Sequence, residues 1–173
     1  MADRQALNEL QTRLDSRLQA ARSEGPSVAW LAAECGAARW LFPLALAGEI
    51  FPWTPPQPVP YTARWLLGVA NLRGSLHSVV DLAAFADPGA TPAPASADAS
   101  LLTLNTALGV PCALRLDRLA GLRGGDAFTA TEPRAGDAPS WYGSVYTDAK
   151  RQRWQEIDLQ ALAADPQFLN IAA

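Results

Sequence analysis

The residues whose types could do chemistry are few: one histidine, His77, two cysteines, Cys35 and Cys112, and a glycine-containing run, Gly121-Leu122-Arg123-Gly124-Gly125. A single imidazole supplies neither a multi-histidine metal centre nor a histidine relay. His77 and Ser78, with Asp81 close by, have the composition of a hydrolytic triad, but neighbours in one strand point to opposite faces and cannot pair as nucleophile and base. His77 therefore reads as a strand-surface residue. The glycine run lacks both the Walker lysine and the GxGxxG spacing, so it reads as a turn rather than a phosphate cradle. Cys35 and Cys112 fall in separate apolar segments, the pattern of two buried, reduced thiols rather than a disulfide or metal pair. A nucleophilic thiol at one of them is the only opening left for an enzyme. The acids lie along loops and helix starts, where capping and solvation place them, and no pair is held at a spacing that acid–base catalysis requires. No catalytic residue, metal ligand or cofactor site is expected.

The elements that must position these residues come from a chain of 173 residues, 49% hydrophobic and 18% charged, which can bury a core and is the size of one domain or two small fused ones. Its net charge of -3 and scattered lysines and arginines give no basic stripe for nucleic acid. The start lacks the basic-then-apolar order of a signal peptide, and later apolar runs are interrupted before membrane-spanning length, so a cytoplasmic protein with no direct membrane insertion is expected.

Leu7, Leu10, Leu14 and Leu18 recur at helical spacing among charges, which predicts an N-terminal amphipathic helix within residues 1–25, stopped by Ser23-Glu24-Gly25-Pro26. Such a helix either folds back on the body or docks into a partner. After Pro26 the period changes. Val28 to Glu34 and Arg39 to Leu46 predict a hairpin turning at Gly36, and the prolines from Phe51 to Pro60 predict an extended surface loop. Trp65 to Val69 and Leu76 to Val80 read as strands separated by residues 70–75, and Asp81 as the N-cap of a helical turn through Ala86. Residues 87–100 carry no large apolar side chain and read as a linker or mobile loop dividing the β-rich region in two. Beyond it, Leu101 to Leu104 and Val110 to Leu116 predict a hairpin, followed by an apolar run from Leu119 to Leu122. Residues 124–140 read as loop, Trp141 to Tyr146 and Arg153 to Ile157 as a last strand pair, and Asp158 as the cap of a closing helix. The fold class is mainly β.

The most informative stretch is Trp65-Leu66-Leu67-Gly68-Val69-Ala70-Asn71-Leu72-Arg73-Gly74-Ser75, continuing through Val79-Val80 to Asp81-Leu82. It resembles the signature of the CheW-like chemotaxis coupling proteins: a glycine-led apolar strand, Asn-Leu-Arg-Gly at a turn, then an apolar strand ending in Asp-Leu. Gly68 to Asn71 after a tryptophan is most similar to the branch serving type IV pilus twitching motility, the PilI-type adaptors. Other marks fall in register: Cys35-Gly36 and Glu49-Ile50 upstream, then Leu114-Arg115-Leu116-Asp117, Trp141-Tyr142-Gly143 and Ile157-Asp158-Leu159 downstream. Ser78 stands where that family usually has proline, His77 where it has an apolar residue, and Ala47 where it has a branched one.

The resemblance implies two SH3-like five-stranded β-barrel subdomains packed together over residues 26–173, with a Pro/Ala-rich loop at 87–100, an N-terminal helix and a short C-terminal helix. It implies a non-enzymatic, cofactor-free adaptor recruited to membrane receptor arrays. There it would couple the cytoplasmic region of a methyl-accepting chemoreceptor to a CheA-like histidine kinase. The receptor face would involve Val69, Asn71, Leu72, Arg73 and Gly74, and the kinase face Glu49 and Ile50. From the residues alone, Gly74 permits the positive φ of a tight turn that projects Arg73, and arginine suits an interface anchor. An internal brace to a carboxylate is the alternative role for Arg73. A small-molecule-binding regulatory barrel is the alternative function.

Overall fold

The computed structural model describes residues 30–90 and 93–173; the predicted N-terminal helix lies outside them. Among the described residues eleven strands form two sheets. The first has six strands: β1 (Trp30–Cys35), β2 (Ala38–Pro43), β8 (Arg118–Arg123), β9 (Phe128–Glu132), β10 (Tyr142–Asp148) and β11 (Arg153–Ile157), in the order β8-β1-β2-β11-β10-β9. The second has five: β3 (Ala47–Pro52), β4 (Leu66–Leu72), β5 (Ser75–Asp81), β6 (Ser100–Leu104) and β7 (Cys112–Leu116), in the order β3-β6-β7-β5-β4. The described residues also contain three short α-helices: α1 (Leu82–Ala86), α2 (Leu159–Ala164) and α3 (Pro166–Leu169).

The sheets cannot be flat. β8 and β9 are opposite edges of the first sheet, yet only residues 124–127 join them. Five Cα steps span at most ~17 Å, whereas six strands laid flat would separate their edges by ~24 Å. The sheet must curl. In the second sheet, Arg73 at the end of the edge strand β4 forms an ion pair with Glu49 on the opposite edge strand β3, which brings its two margins together in the same way.

Strand alternation then sorts the apolar residues into three clusters. Leu31, Ala33 and Cys35 of β1, Trp40 and Phe42 of β2, Leu102 and Leu104 of β6, and Leu114 and Leu116 of β7 fill the space between the sheets. Their neighbours Trp30, Ala32 and Leu41 point the other way and meet Trp154 inside the first curl. Val79, Leu101 and Ala113 meet Ala70 and Leu72 inside the second. A strand buried on both faces reads as a continuous apolar run, which is why β1 and β7 show little alternation of polarity.

Several expectations hold. The β1–β2, β6–β7 and β10–β11 hairpins are antiparallel pairs, and Asp81 and Asp158 cap their helices by accepting from Ala84 N (3.2 Å) and Ala161 N (2.9 Å). Others need correction. One sheet has five strands as expected, the other six. Phe51 and Pro52 end strand β3, and residues 128–132 are strand β9, rather than loop; both are edge strands and mostly exposed, so neither carries an apolar pattern. The run from Gly121 is no simple turn: Gly121 (φ 91°) sits in β8 at a bulge. The segment 87–100 does not divide the strands into two sets, because β3 and β5 pair with β6 and β7 from beyond it, and β1 and β2 pair with β8 and β11. Nor does the described part hang free: the Ala93 carbonyl accepts from Arg115 Nη1 (2.7 Å) and Ser96 Oγ donates to the Asp117 carbonyl (2.9 Å).

Candidate functional site

β4 runs on through Leu72, and the hairpin turn consists of Arg73 and Gly74 alone, since Leu72 pairs with Ser75. Arg73 (φ 50°) and Gly74 (φ 85°) both have positive φ, the pattern that matches a two-residue turn to the twist of its strands. Glycine takes that conformation freely. Arginine does not, so Arg73 is held in it by its neighbours. Asn71 Oδ1 accepts from Gly74 N at 2.8 Å, closing the turn from inside. The Arg73 guanidinium lies 5.4 Å from the centre of the Phe51 ring and donates to Glu49 Oε2.

Glu49 is placed with equal care. Thr103 of β6 accepts from Glu49 N (2.8 Å) and donates to Glu49 O (3.2 Å), so one side chain replaces ladder bonds where the β3–β6 register shifts between Ala47 and Ile50. A cleft of about 650 Å³ opens beside the pair, lined by Phe51, His77, Thr103, Asn105 and Pro111 among others. The structure thus joins Arg73 and Glu49, which the family resemblance assigns to different faces. Asn71, Gly74 and Ile50 are exposed and Val69 is half-buried. Leu72 is buried in the second curl, where it serves the core.

The glycine that opens the signature also acquires a reason. Gln57 and Val69 exchange both backbone hydrogen bonds (2.7 and 2.9 Å), so the proline-rich segment lies along the outer edge of β4. A Cβ on Gly68 would sit 2.2 Å from the Gln57 carbonyl oxygen, and Gly68 has φ 138°. Only glycine lets the two backbones approach so closely. The strand edge that could otherwise template aggregation is covered.

A second polar constellation was missed by sequence reasoning. Arg115 and Asp81, with side chains only 4% and 3% exposed, form a buried ion pair at 3.0 Å. Arg115 Nε lies 3.3 Å from Asp117 Oδ1, and Asp117 Oδ2 accepts from Gly36 N at 2.6 Å. Asp81 at the end of β5, Arg115 of β7 and the β1–β2 turn are thereby tied together across both sheets. The signal was present: an arginine between two leucines in a wholly apolar strand needs a buried partner.

The residues that could have carried catalysis are not arranged for it. His77 Nδ1 lies 3.0 Å from the Ser75 carbonyl oxygen rather than on the Ser78 hydroxyl. Cys35 and Cys112 are buried and free. Burial pushes the Cys112 thiol up to about 12. Burial, and then the Asp117 carboxylate, raise that of Cys35. Neither is a thiolate near neutrality. Among the described residues no group of three or more His, Cys, Asp or Glu converges as metal ligands would. Nor is any helix there long and apolar enough to cross a membrane.

Two curled sheets sharing a central core, with an arginine braced on an exposed hairpin tip, define a β-rich module whose most distinctive surface is that tip. The model of the CheW-like domain family matches residues 29–167, and the chain belongs to that family. Among solved structures it is similar to the scaffolding protein TtCheW from Thermoanaerobacter tengcongensis, with a TM-score of 0.66 and 14% identity over 84% of this chain and 97% of that one. At that identity the likeness is one of fold. No curated protein sequence matches the chain.

Proposed function

We propose that the chain is a non-enzymatic adaptor that couples the cytoplasmic region of a chemoreceptor to a CheA-like histidine kinase, in a chemotaxis-like pathway controlling type IV pilus twitching motility. Family membership and the fold shared with a scaffolding protein support the adaptor reading. The twitching branch rests on the resemblance of Gly68 to Asn71 after Trp65. The observation that carries the proposal is the Arg73–Gly74 tip. Its arginine adopts an unfavoured positive φ and keeps three quarters of its side chain exposed, which a purely structural turn would not need.

In this reading Val69, Asn71, Arg73 and Gly74 form the receptor face, with Leu72 supporting it from the core, and Glu49 and Ile50 form the kinase face. The Arg73–Glu49 pair makes the two faces adjacent. Titration against a receptor cytoplasmic fragment tests the assignment. Arg73→Glu is expected to weaken binding by on the order of 2 kcal/mol, as loss of an interface anchor does, while the protein stays folded. Unchanged affinity would remove Arg73 from the receptor face.

A further inference from the structure

The cleft beside the Arg73–Glu49 pair combines an apolar lining with a bare hydrogen-bond acceptor. Leu72 and Leu104 line it as buried residues, and Phe51 and Val110 as half-buried ones. Two of its polar side chains are occupied within the protein. The Thr103 hydroxyl serves the Glu49 backbone, and the Asn105 amide accepts from Ala107 N (2.9 Å) and donates to Ala45 O (3.4 Å). His77 is different. Its Nδ1 faces the Ser75 carbonyl oxygen at 3.0 Å, and a carbonyl can only accept, so Nδ1 carries the proton. In the neutral ring Nε2 is then an acceptor, and it has no hydrogen-bond partner among the described residues.

Charge selects what the cleft can hold. Among the described residues Glu49 and Arg73 are the only other charged side chains lining it, and they neutralise one another. A further charge of either sign would be repelled by one member of the pair, so the occupant is neutral. One face of the Arg73 guanidinium lies over the Phe51 ring, yet the side chain stays 75% exposed, which leaves the other face open to a second ring. An apolar lining, a bare acceptor and an open guanidinium face together fit an aromatic side chain that carries an N–H or O–H. We propose that the cleft takes such a side chain, a tryptophan or tyrosine, from the receptor, with its donor on His77 Nε2 and its ring against Arg73. The receptor as its source rests on the adaptor reading, since Arg73 and His77 belong to the same β4–β5 hairpin; the chemistry of the cleft does not.

Indole, and 1-methylindole, which lacks the N–H, test it on the full chain. In mildly alkaline buffer, which keeps an imidazole neutral, indole should saturate at millimolar concentration and shift the amide resonances of His77, Thr103 and Thr106. 1-Methylindole should bind about fivefold more weakly, as loss of one hydrogen bond gives. His77→Phe keeps a ring and should bind the two alike; should that variant fail to fold, the comparison in the parent chain still decides. Indole at about three times its own Kd should also weaken titration of the receptor cytoplasmic fragment about fourfold, by competition. Absence of saturation, resonance shifts confined to other surfaces, equal binding of the two indoles by the parent chain, discrimination that survives in folded His77→Phe, or receptor affinity unchanged by indole each overturns the proposal. A receptor fragment that never binds, beside the expected indole results, supports the cleft and removes the adaptor reading alone.

Discussion

Arg73, on the two-residue turn between β4 and β5, is ion-paired with Glu49 on β3, at the far edge of the same curled sheet. The two side chains remain 75% and 59% exposed, so the pair is screened and contributes at most about 1 kcal/mol to folding. In the proposed reading its consequence is for binding. A partner that draws Arg73 away releases Glu49, and the reverse.

This yields a charge-swap test of whether Arg73 is brace or interface. Arg73→Glu and Glu49→Arg each place like charges together and should lower stability by roughly 1 kcal/mol or less; the double swap should restore it. Receptor binding should stay weak in the double swap, because the guanidinium would no longer project from the tip. Recovery of both stability and binding would show that only the brace matters. Denaturant unfolding and titration on the same four proteins read both quantities.

The buried Arg115–Asp81 pair should behave oppositely. Arg115→Leu leaves Asp81 without its partner at a site almost closed to water, and should cost about 3–5 kcal/mol. Asp81→Ala should cost a similar amount, since it also removes the N-cap of α1. A loss below about 1 kcal/mol in denaturant unfolding, the size of an exposed pair, would contradict the placement of this network in the core.

What the sequence made legible and what it hid follow from range and exposure. Asp81 and Asp158 were readable as caps because a cap and its helix are adjacent in the chain. The β6–β7 hairpin was readable because Gly109 and Pro111 punctuate two apolar runs. β3 and β9 were hidden because edge strands exposed on most positions, as in Phe128-Thr129-Ala130-Thr131-Glu132, need no apolar alternation. The parallel pairings of β5 with β7 and of β11 with β2 leave no local trace at all. Within the site, Asn71 to Gly74 announced a projecting turn. That Arg73 meets a carboxylate was one of its two expected roles, but Glu49 as the partner was not foreseeable, because it depends on the curl that brings together residues from opposite edges of one sheet.

Two glycines of the signature should respond differently to alanine. Gly74→Ala meets nothing within 4 Å and should cost only the ~1 kcal/mol of an unfavoured φ. Gly68→Ala collides with the Gln57 backbone and should lift the proline-rich segment from β4. Backbone amide exchange at Gln57 and Val69 should accelerate in Gly68→Ala and stay slow in Gly74→Ala. Equal behaviour would mean that Gly68 serves the turn rather than the contact.

Asp148 gives a pH signature. At the tip of the β10–β11 hairpin it accepts from the Trp154 indole (3.0 Å) and from the backbone N–H groups of Gln152 (2.9 Å) and Lys150 (2.8 Å). These bonds, the indole foremost, hold its carboxyl below the usual range. A depressed carboxyl contributes stability that is complete above its unfolded value near ~4 and is lost as pH falls through the folded value. Asp148→Asn should lower stability at pH 7 and flatten the decline below pH ~4. Parallel acid-unfolding curves for the two proteins would contradict this.

In the proposed function one chain holds two partners at once. Sedimentation velocity of a receptor cytoplasmic fragment and the kinase regulatory domain, with and without this protein, measures that directly. A complex containing all three should form only when the chain is present, and Arg73→Glu should leave the chain bound to the kinase domain alone. If the receptor fragment instead displaces the kinase domain from the chain, the two faces are one surface and the protein does not act as a bridge.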